Sequence, residues 1–356
     1  MVDLPPSCTP PPSIGAVISA EKLTHNESNA ATGGIWLVRG TSADAVLKIA
    51  RPPTDPPSGS PAWPTSDDPG HWNHWKREAL VYTSGLSSAY ADAGITAPDL
   101  LATEDLADGS VALWLAAASG TPGPDWTPGH FGAFALRLGR AQGGWIGRVP
   151  EQPWLSRRWL AAYLDRTPVW ARWDIDWEHP IARVWPADVR SAVARLWADR
   201  DKALAVAETS TPTLAHLDVW IMNLFAGDTG HTLLDWAFTG TGGIGEDPAN
   251  LIVDSVTDGY LPVALLPEIE AAVTDGYLAG LRDSGHAVSP DAVRRSIHAY
   301  GVAKYAWYAP AIVGRVIHEG SVGHPSYGVR GAGEEELERV TGLVTMVARW
   351  SADVLD

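Results

Sequence analysis

Lys48 stands in the apolar run AVLKIA, and Glu78 lies thirty residues further on in WKREALVYT. An ammonium among apolar neighbours needs a partner. A strand lysine facing a helix glutamate forms an ion pair that presents the ammonium to nucleotide phosphates. Each residue alone has a plainer reading, Lys48 as an edge-strand lysine whose head reaches water and Glu78 as a solvated helix carboxylate. Later in the chain runs His216-Leu217-Asp218-Val219-Trp220-Ile221-Met222-Asn223, and twelve residues after Asn223 comes Asp235, set between LL and WAF. Phosphoryl transfer needs a carboxylate to accept a hydroxyl proton. It also needs oxygen ligands for Mg²⁺, which prefers one or two carboxylates together with phosphate oxygens and water. Asp218, Asn223 and Asp235 supply that set. Asp218 and Asn223 also suit turns, but turn chemistry gives no reason for Asp235.

These residues need a scaffold, and the periodicity changes along the chain. Residues 15–51 alternate strand-length apolar runs (AVIS, IWLVRG, AVLKIA) with turn signals, as an antiparallel meander does. Residues 52–70 hold too much Pro, Gly and Ser for regular structure. A helix is expected from near His71, with Trp75, Ala79 and Tyr82 on one face, and then two strands joined at Asp108 and Gly109. From residue 121 the pattern is helical, with single helices expected over 154–167, 186–208 and 291–320 and an interruption between residues 211 and 239. The expected class is α+β: a flexible proline-rich tail (1–14), a sheet-rich lobe (15–115), a linker (116–120) and a helical lobe (121–356) about twice the size of the first.

Composition narrows the function. The chain has 356 residues, 45% of them hydrophobic, and a formal charge of -16, which disfavours nucleic acid and suits a cationic small molecule. No run of 18 apolar residues predicts a membrane span, and the start lacks the features of a secretory signal, so a cytoplasmic protein is expected. The single cysteine, Cys8, allows neither an intrachain disulfide nor a cysteine metal cluster. The 18 tryptophans read mainly as packing, with Trp220, Trp307 and Tyr308 as candidates for a substrate wall. Gly240, Gly242 and Gly245 match GxGxxG, but GEDPANLIVDSVTDGY continues as helix and turn without the second parallel strand a dinucleotide fold requires. The glycines let the chain turn beside the metal segment, and Asp247 is placed to brace it. No GxxxxGK[ST] is present.

The HxDxxxxN run from His216 to Asn223, followed by LLDWA, resembles the catalytic loop and metal segment of the aminoglycoside phosphotransferase and choline kinase group. That resemblance extends in order and spacing over residues 20–310, and its specific part is 216–236. It implies a protein-kinase-like bilobal fold, ATP and Mg²⁺ as cofactors, Asp218 as catalytic aspartate, His216 as a structural member of the loop, and Asn223 and Asp235 as metal ligands. Lys48 and Glu78 match the phosphate-contacting lysine and its partner. Glu27 to Gly34 matches the loop over the nucleotide, with Ser28 and Asn29 at its tip, and Ala116 to Ala118 the linker that meets adenine. The implied acceptor is a hydroxyl of a small molecule such as an aminoglycoside or amino sugar. The competing reading is a kinase-like protein that acts on or binds a peptide, one form of which is a non-catalytic partner in a biosynthetic complex. The sequence departs from the group at Leu217, where Gly is common, at the bulky Trp220 to Met222, and in a linker with Ala where an acidic residue is common.

Overall fold

The computed structural model describes residues 4–5, 7–55, 57–320 and 333–356. Positions 1–3 and 6 of the expected tail, and 321–332 of the expected helical lobe, lie outside the described residues. The chain opens with β1 (Val17–Lys22), β2 (Thr32–Gly40) and β3 (Asp44–Ala50), passes through α1 (Arg77–Thr83), β4 (Ile95–Thr96), β5 (Leu100–Asp105) and β6 (Val111–Ala116), and leaves by β7 (Thr121–Pro122). Strands β1, β2, β3, β6 and β5 form one antiparallel sheet in that spatial order. Its β-branched and aromatic residues fit a pleated surface buried on one face, and Trp36, Val38, Leu47 and Trp114 make that core.

The expected flexible tail is corrected by this sheet. Cys8 and Ile14 are buried in its core, and the Thr9 amide donates to Glu104 at 3.0 Å. Proline restricts the backbone before folding, so ordering this segment costs little entropy for the apolar area it covers.

The second part is largely helical, as expected. It comprises α2 (Pro128–Trp145), β8 (Ser156–Arg157), α3 (Trp159–Leu164), α4 (Ala187–Ala198), α5 (Arg200–Ala207), β9 (Pro212–Ala215), β10 (Leu224–Ala226), β11 (His231–Leu233), β12 (Gly240–Gly243), α6 (Glu246–Thr257), α7 (Leu266–Asp283), α8 (Pro290–Tyr305), α9 (Tyr308–Glu319), α10 (Gly333–Arg339) and α11 (Thr341–Leu355). Several expected helices are shorter. The one expected from His71 begins at Arg77, because Pro69, His71 and Trp72 turn their carbonyls onto the Arg77 side chain. The one expected over 154–167 is only α3, since Ser156 and Arg157 pair with Gly240 and Thr241 instead. The span 186–208 divides at Asp199 into α4 and α5. The span 291–320 breaks between α8 and α9, where Pro310 in the first turn of α9 removes an amide donor and clashes with the carbonyl four residues back.

The glycine fingerprint does open a helix, with Gly245 at φ 104 before α6. Yet β12 pairs antiparallel with β9 and parallel with the two-residue β8, so no βαβ unit exists there. Among the described residues, no helix is long and apolar enough to cross a membrane.

Candidate active site

Lys48 lies mid-strand in β3, opposite Ile35 on one side and Leu113 on the other, and is 8% exposed. Its Nζ is 2.5 Å from Glu78 Oε2 and 2.7 Å from Asp235 Oδ1. The expected Lys48–Glu78 pair is therefore present, and Asp235 joins it, which the spacing did not foretell. Burial alone would pull the Lys48 ammonium down, but Asp235 and Glu78 outweigh it and hold the pKa above its ordinary range. Burial pushes the Glu78 carboxyl up, against the pull of Lys48. Asp235, with 36% of its side chain exposed, is held below the usual carboxylate range by Lys48 in spite of burial.

The β10–β11 hairpin sets Asn223 beside Asp235. Leu224 pairs with Leu233, and the Leu234 amide donates to the Asn223 carbonyl at 2.8 Å, so the two candidate metal ligands flank the open end of one ladder. Asn223 Nδ2 donates to both the carbonyl oxygen and Oδ2 of Asp218, each at 3.0 Å. With its nitrogen engaged, the asparagine has its amide oxygen left as a ligand atom. No group of three His, Cys, Asp or Glu that could cage a metal occurs among the described residues. Two side-chain oxygen donors nevertheless suit Mg²⁺, which takes its remaining ligands from phosphates and water. The donor set fits the Mg²⁺ that the sequence resemblance implies.

Asp218 sits on a braced loop. Asp247, at the start of α6, accepts the His216 amide at 2.8 Å and the Leu217 amide at 2.7 Å. Gln142 of α2 donates to the same carboxylate at 2.7 Å, and Tyr277 of α7 hydroxyl-bonds Gln142 Oε1 at 2.5 Å. The α2–α7 pair, packed so closely that a Cβ on Gly280 would lie 2.0 Å from the Leu136 carbonyl oxygen, thus reaches the loop through two side chains. His216 is buried and its pKa is drawn down to about 4 by burial, so it is neutral, and its Nδ1 accepts the Asp218 amide at 3.3 Å. Burial and the nearby Asp235 push the Asp218 carboxyl up to about 7, while Lys304 and Asn223 act against them.

Ser28 and Asn29 lie on the β1–β2 connection, and their contacts beyond it run to the proline-rich segment and to the stretch ahead of α1. The Ser28 carbonyl accepts the Ser60 amide at 2.9 Å, and Asn29 Oδ1 accepts Asn73 Nδ2 at 3.0 Å. Ala116 still belongs to β6, and its amide and that of Ala117 donate to the carbonyls of Asp99 and Asp44. Strand pairing therefore uses two of the linker donors expected to face adenine. Trp307 packs on Trp170 with ring centroids 4.8 Å apart, in an aromatic cluster that also holds Trp63, Tyr163, Trp159 and Phe238. Tyr308 bonds the Thr257 carbonyl at 3.4 Å, and Trp220 is half-buried in the loop.

Three groups were not singled out from the sequence. Lys304 of α8 is buried, 4.0 Å from Asp254 and 5.0 Å from the Trp159 ring centroid. Asn250 ties Asp254 to the Val219 carbonyl at 2.9 and 2.8 Å. Arg77, next to Glu78, is fully buried. The scarcity of lysine was a usable signal for Lys304; Arg77 offered only its adjacency to Glu78.

No family model and no curated protein matches the sequence. Solved structures do match in three dimensions. A choline/ethanolamine kinase family protein from Mesorhizobium loti aligns at TM-score 0.51 and 16% identity, covering 96% of this chain and 93% of its own. A protein from Ralstonia eutropha, described only provisionally as an aminoglycoside phosphotransferase, aligns at TM-score 0.50 and 11% identity, covering 95% and 93%. A spectinomycin phosphotransferase in complex with ADP and spectinomycin aligns at TM-score 0.48 and 11% identity, covering 95% and 94%. The chain has the aminoglycoside phosphotransferase and choline kinase-like fold, an N-terminal antiparallel sheet followed by a largely helical part.

Proposed function

We propose that this protein is an ATP-dependent phosphotransferase that moves the γ-phosphoryl group to a hydroxyl of a small molecule, with residues 15–115 as the nucleotide lobe and 121–356 carrying the catalytic loop. The observation that carries the reading is that Lys48 Nζ lies within 2.7 Å of both Glu78 and Asp235, next to an Asp218–Asn223 pair joined at 3.0 Å. Fold alone does not assign function; this set of side chains is what phosphoryl transfer requires.

In this reading Asp218 orients the acceptor hydroxyl and takes its proton as the oxygen attacks the γ-phosphorus and the bond to the ADP oxygen breaks. Lys48, held by Glu78, faces the phosphates and offsets charge on the transferring group. Asn223 and Asp235 would hold Mg²⁺, which supplies charge neutralisation between the phosphates when bound. Because Asp235 is paired with Lys48, nucleotide entry exchanges that contact for phosphate. Catalysis is then positioning and electrostatics. The acceptor class is a hydroxylated natural product such as an aminoglycoside or amino sugar.

The test is calorimetric titration with MgATP, followed by an ATP-consumption screen over amino sugars, aminoglycosides and peptides. Nucleotide binding with turnover on one small-molecule class supports the reading. Binding without turnover on any panel favours the non-catalytic partner, and no nucleotide binding refutes the phosphotransferase reading.

A further inference from the structure

Arg77 is fully buried, and its guanidinium meets no carboxylate among the described residues. All of its hydrogen bonds go to backbone carbonyls: Nε to Trp154 at 2.6 Å, Nη1 to Trp72 at 2.8 Å and Ala237 at 3.0 Å, and Nη2 to His71 at 2.5 Å and Pro69 at 3.5 Å. A buried charge with no counter-ion is costly, so its retention asks for a reason beyond packing. Five donors in a planar fork can gather carbonyls from several segments at once, which the single ammonium of a lysine cannot do.

The reason lies in which segments are gathered. Ala237 is two residues beyond Asp235, and Asp235 is one of three non-glycine residues with positive φ among the described residues, at 57°. Such a backbone persists only where its surroundings fix it. The Trp236 backbone also lies beside the Glu78 carboxylate, and the Ala237 backbone beside that of Asp235. Consecutive side chains of α1, Arg77 and Glu78, therefore grip consecutive residues of the turn after Asp235. The same guanidinium ties that turn to Trp154, just ahead of β8, and to the carbonyls that precede α1.

We infer that Arg77 is a positioning residue: by holding the Ala237 carbonyl it fixes the Asp235 turn, and so sets the affinity of the Asn223–Asp235 pair for a divalent cation. This rests on the phosphotransferase reading for the identity of the cation. The clamp itself rests on the hydrogen bonds alone.

The test uses the full-length chain and the variants Arg77→Lys and Arg77→Gln, with ADP titrated in the presence and absence of Mg²⁺. Outer groups that orient metal ligands change metal affinity by about 10- to 100-fold when removed. Each variant should need roughly tenfold more Mg²⁺ than the wild type to enhance ADP binding, while Mg²⁺-free ADP affinity changes less than about twofold. A variant with a lowered Tm and an unchanged Mg²⁺ midpoint would reduce Arg77 to a structural role and overturn the inference. Failure of the wild type itself to bind MgADP would instead count against the phosphotransferase reading. For that case, and for variants that do not fold, hydrogen exchange on the wild type decides: a clamped turn gives Trp236 and Ala237 amides that exchange only through global unfolding. Fast exchange there overturns the clamp.

Discussion

The Leu217 amide donates to the Asp247 carboxylate at 2.7 Å, and that bond holds a leucine at φ 69 in a conformation that ordinarily favours glycine. The side chain is buried, at 2% exposure. Leu217 is thus a departure from the glycine common in this group that the structure accommodates by bracing the backbone and burying the side chain. Asp247→Ala orphans two buried amides and should lower stability by about 2–4 kcal/mol. Leu217→Gly relieves the backbone but empties a packed site, and its net effect should be a loss of about 1–3 kcal/mol. Urea unfolding midpoints check both, and a stabilised Leu217→Gly would mean that strain outweighs packing.

Removing Lys48 leaves Glu78 and Asp235 facing each other without a cation. Lys48→Met should cost about 3–5 kcal/mol at pH 8, the scale of a broken buried pair. The loss should shrink toward pH 5, because burial already raises the Glu78 carboxyl and its protonation removes the repulsion. ATP affinity should fall as well. Equal affinity by calorimetry would remove Lys48 from the phosphate site.

Glu246 is buried at the start of α6, where its Oε2 accepts the Gly243 amide at 3.1 Å, and burial raises its carboxyl from 4.5 to about 8. Below pH 4.5 the group is protonated folded or unfolded and has no effect. As pH rises toward 8 the unfolded chain ionises first, so this group's unfavourable contribution grows across that window. Glu246→Gln keeps an acceptor for Gly243 and should match the wild type near pH 4.5 but exceed it at pH 8 by roughly 1–3 kcal/mol. Thermal unfolding at the two pH values checks the sign.

Asn73 ties the β1–β2 connection to the segment ahead of α1 through Asn29 at 3.0 Å. If that connection covers the nucleotide, Asn73→Ala should weaken ADP binding by about three- to tenfold, the worth of one hydrogen bond. Unchanged affinity would place the connection outside the nucleotide site.

Much of the chemistry was legible because ionisable residues in apolar runs are conspicuous. Lys48 and Glu78 met as expected, and Asp218 and Asn223 share a hydrogen bond. Other features had no side-chain signature. Arg77 binds carbonyls, which any residue supplies, and Asp235 reaches Lys48 across 187 positions of chain through a left-handed turn that spacing does not encode. Proline-rich composition predicts an unpacked tail, whereas Ile14 and Cys8 supply apolar contacts to the sheet's core. The resemblance puts Ala116 in the linker, yet strand pairing with Ala45 extends through it.

The central claim is that Asp218 acts on the acceptor while Lys48 and the Asn223–Asp235 pair hold the nucleotide. The measurement that tests it is turnover of Asp218→Asn on the acceptor found by the screen, with MgATP affinity measured on the same preparation. Asparagine keeps the shape and cannot accept the proton, so turnover should fall by roughly two to four orders of magnitude while MgATP affinity stays within about threefold of the wild type, since Asp218 is not assigned to the phosphates. A variant that turns over as fast as the wild type, with nucleotide bound equally well, would contradict the account.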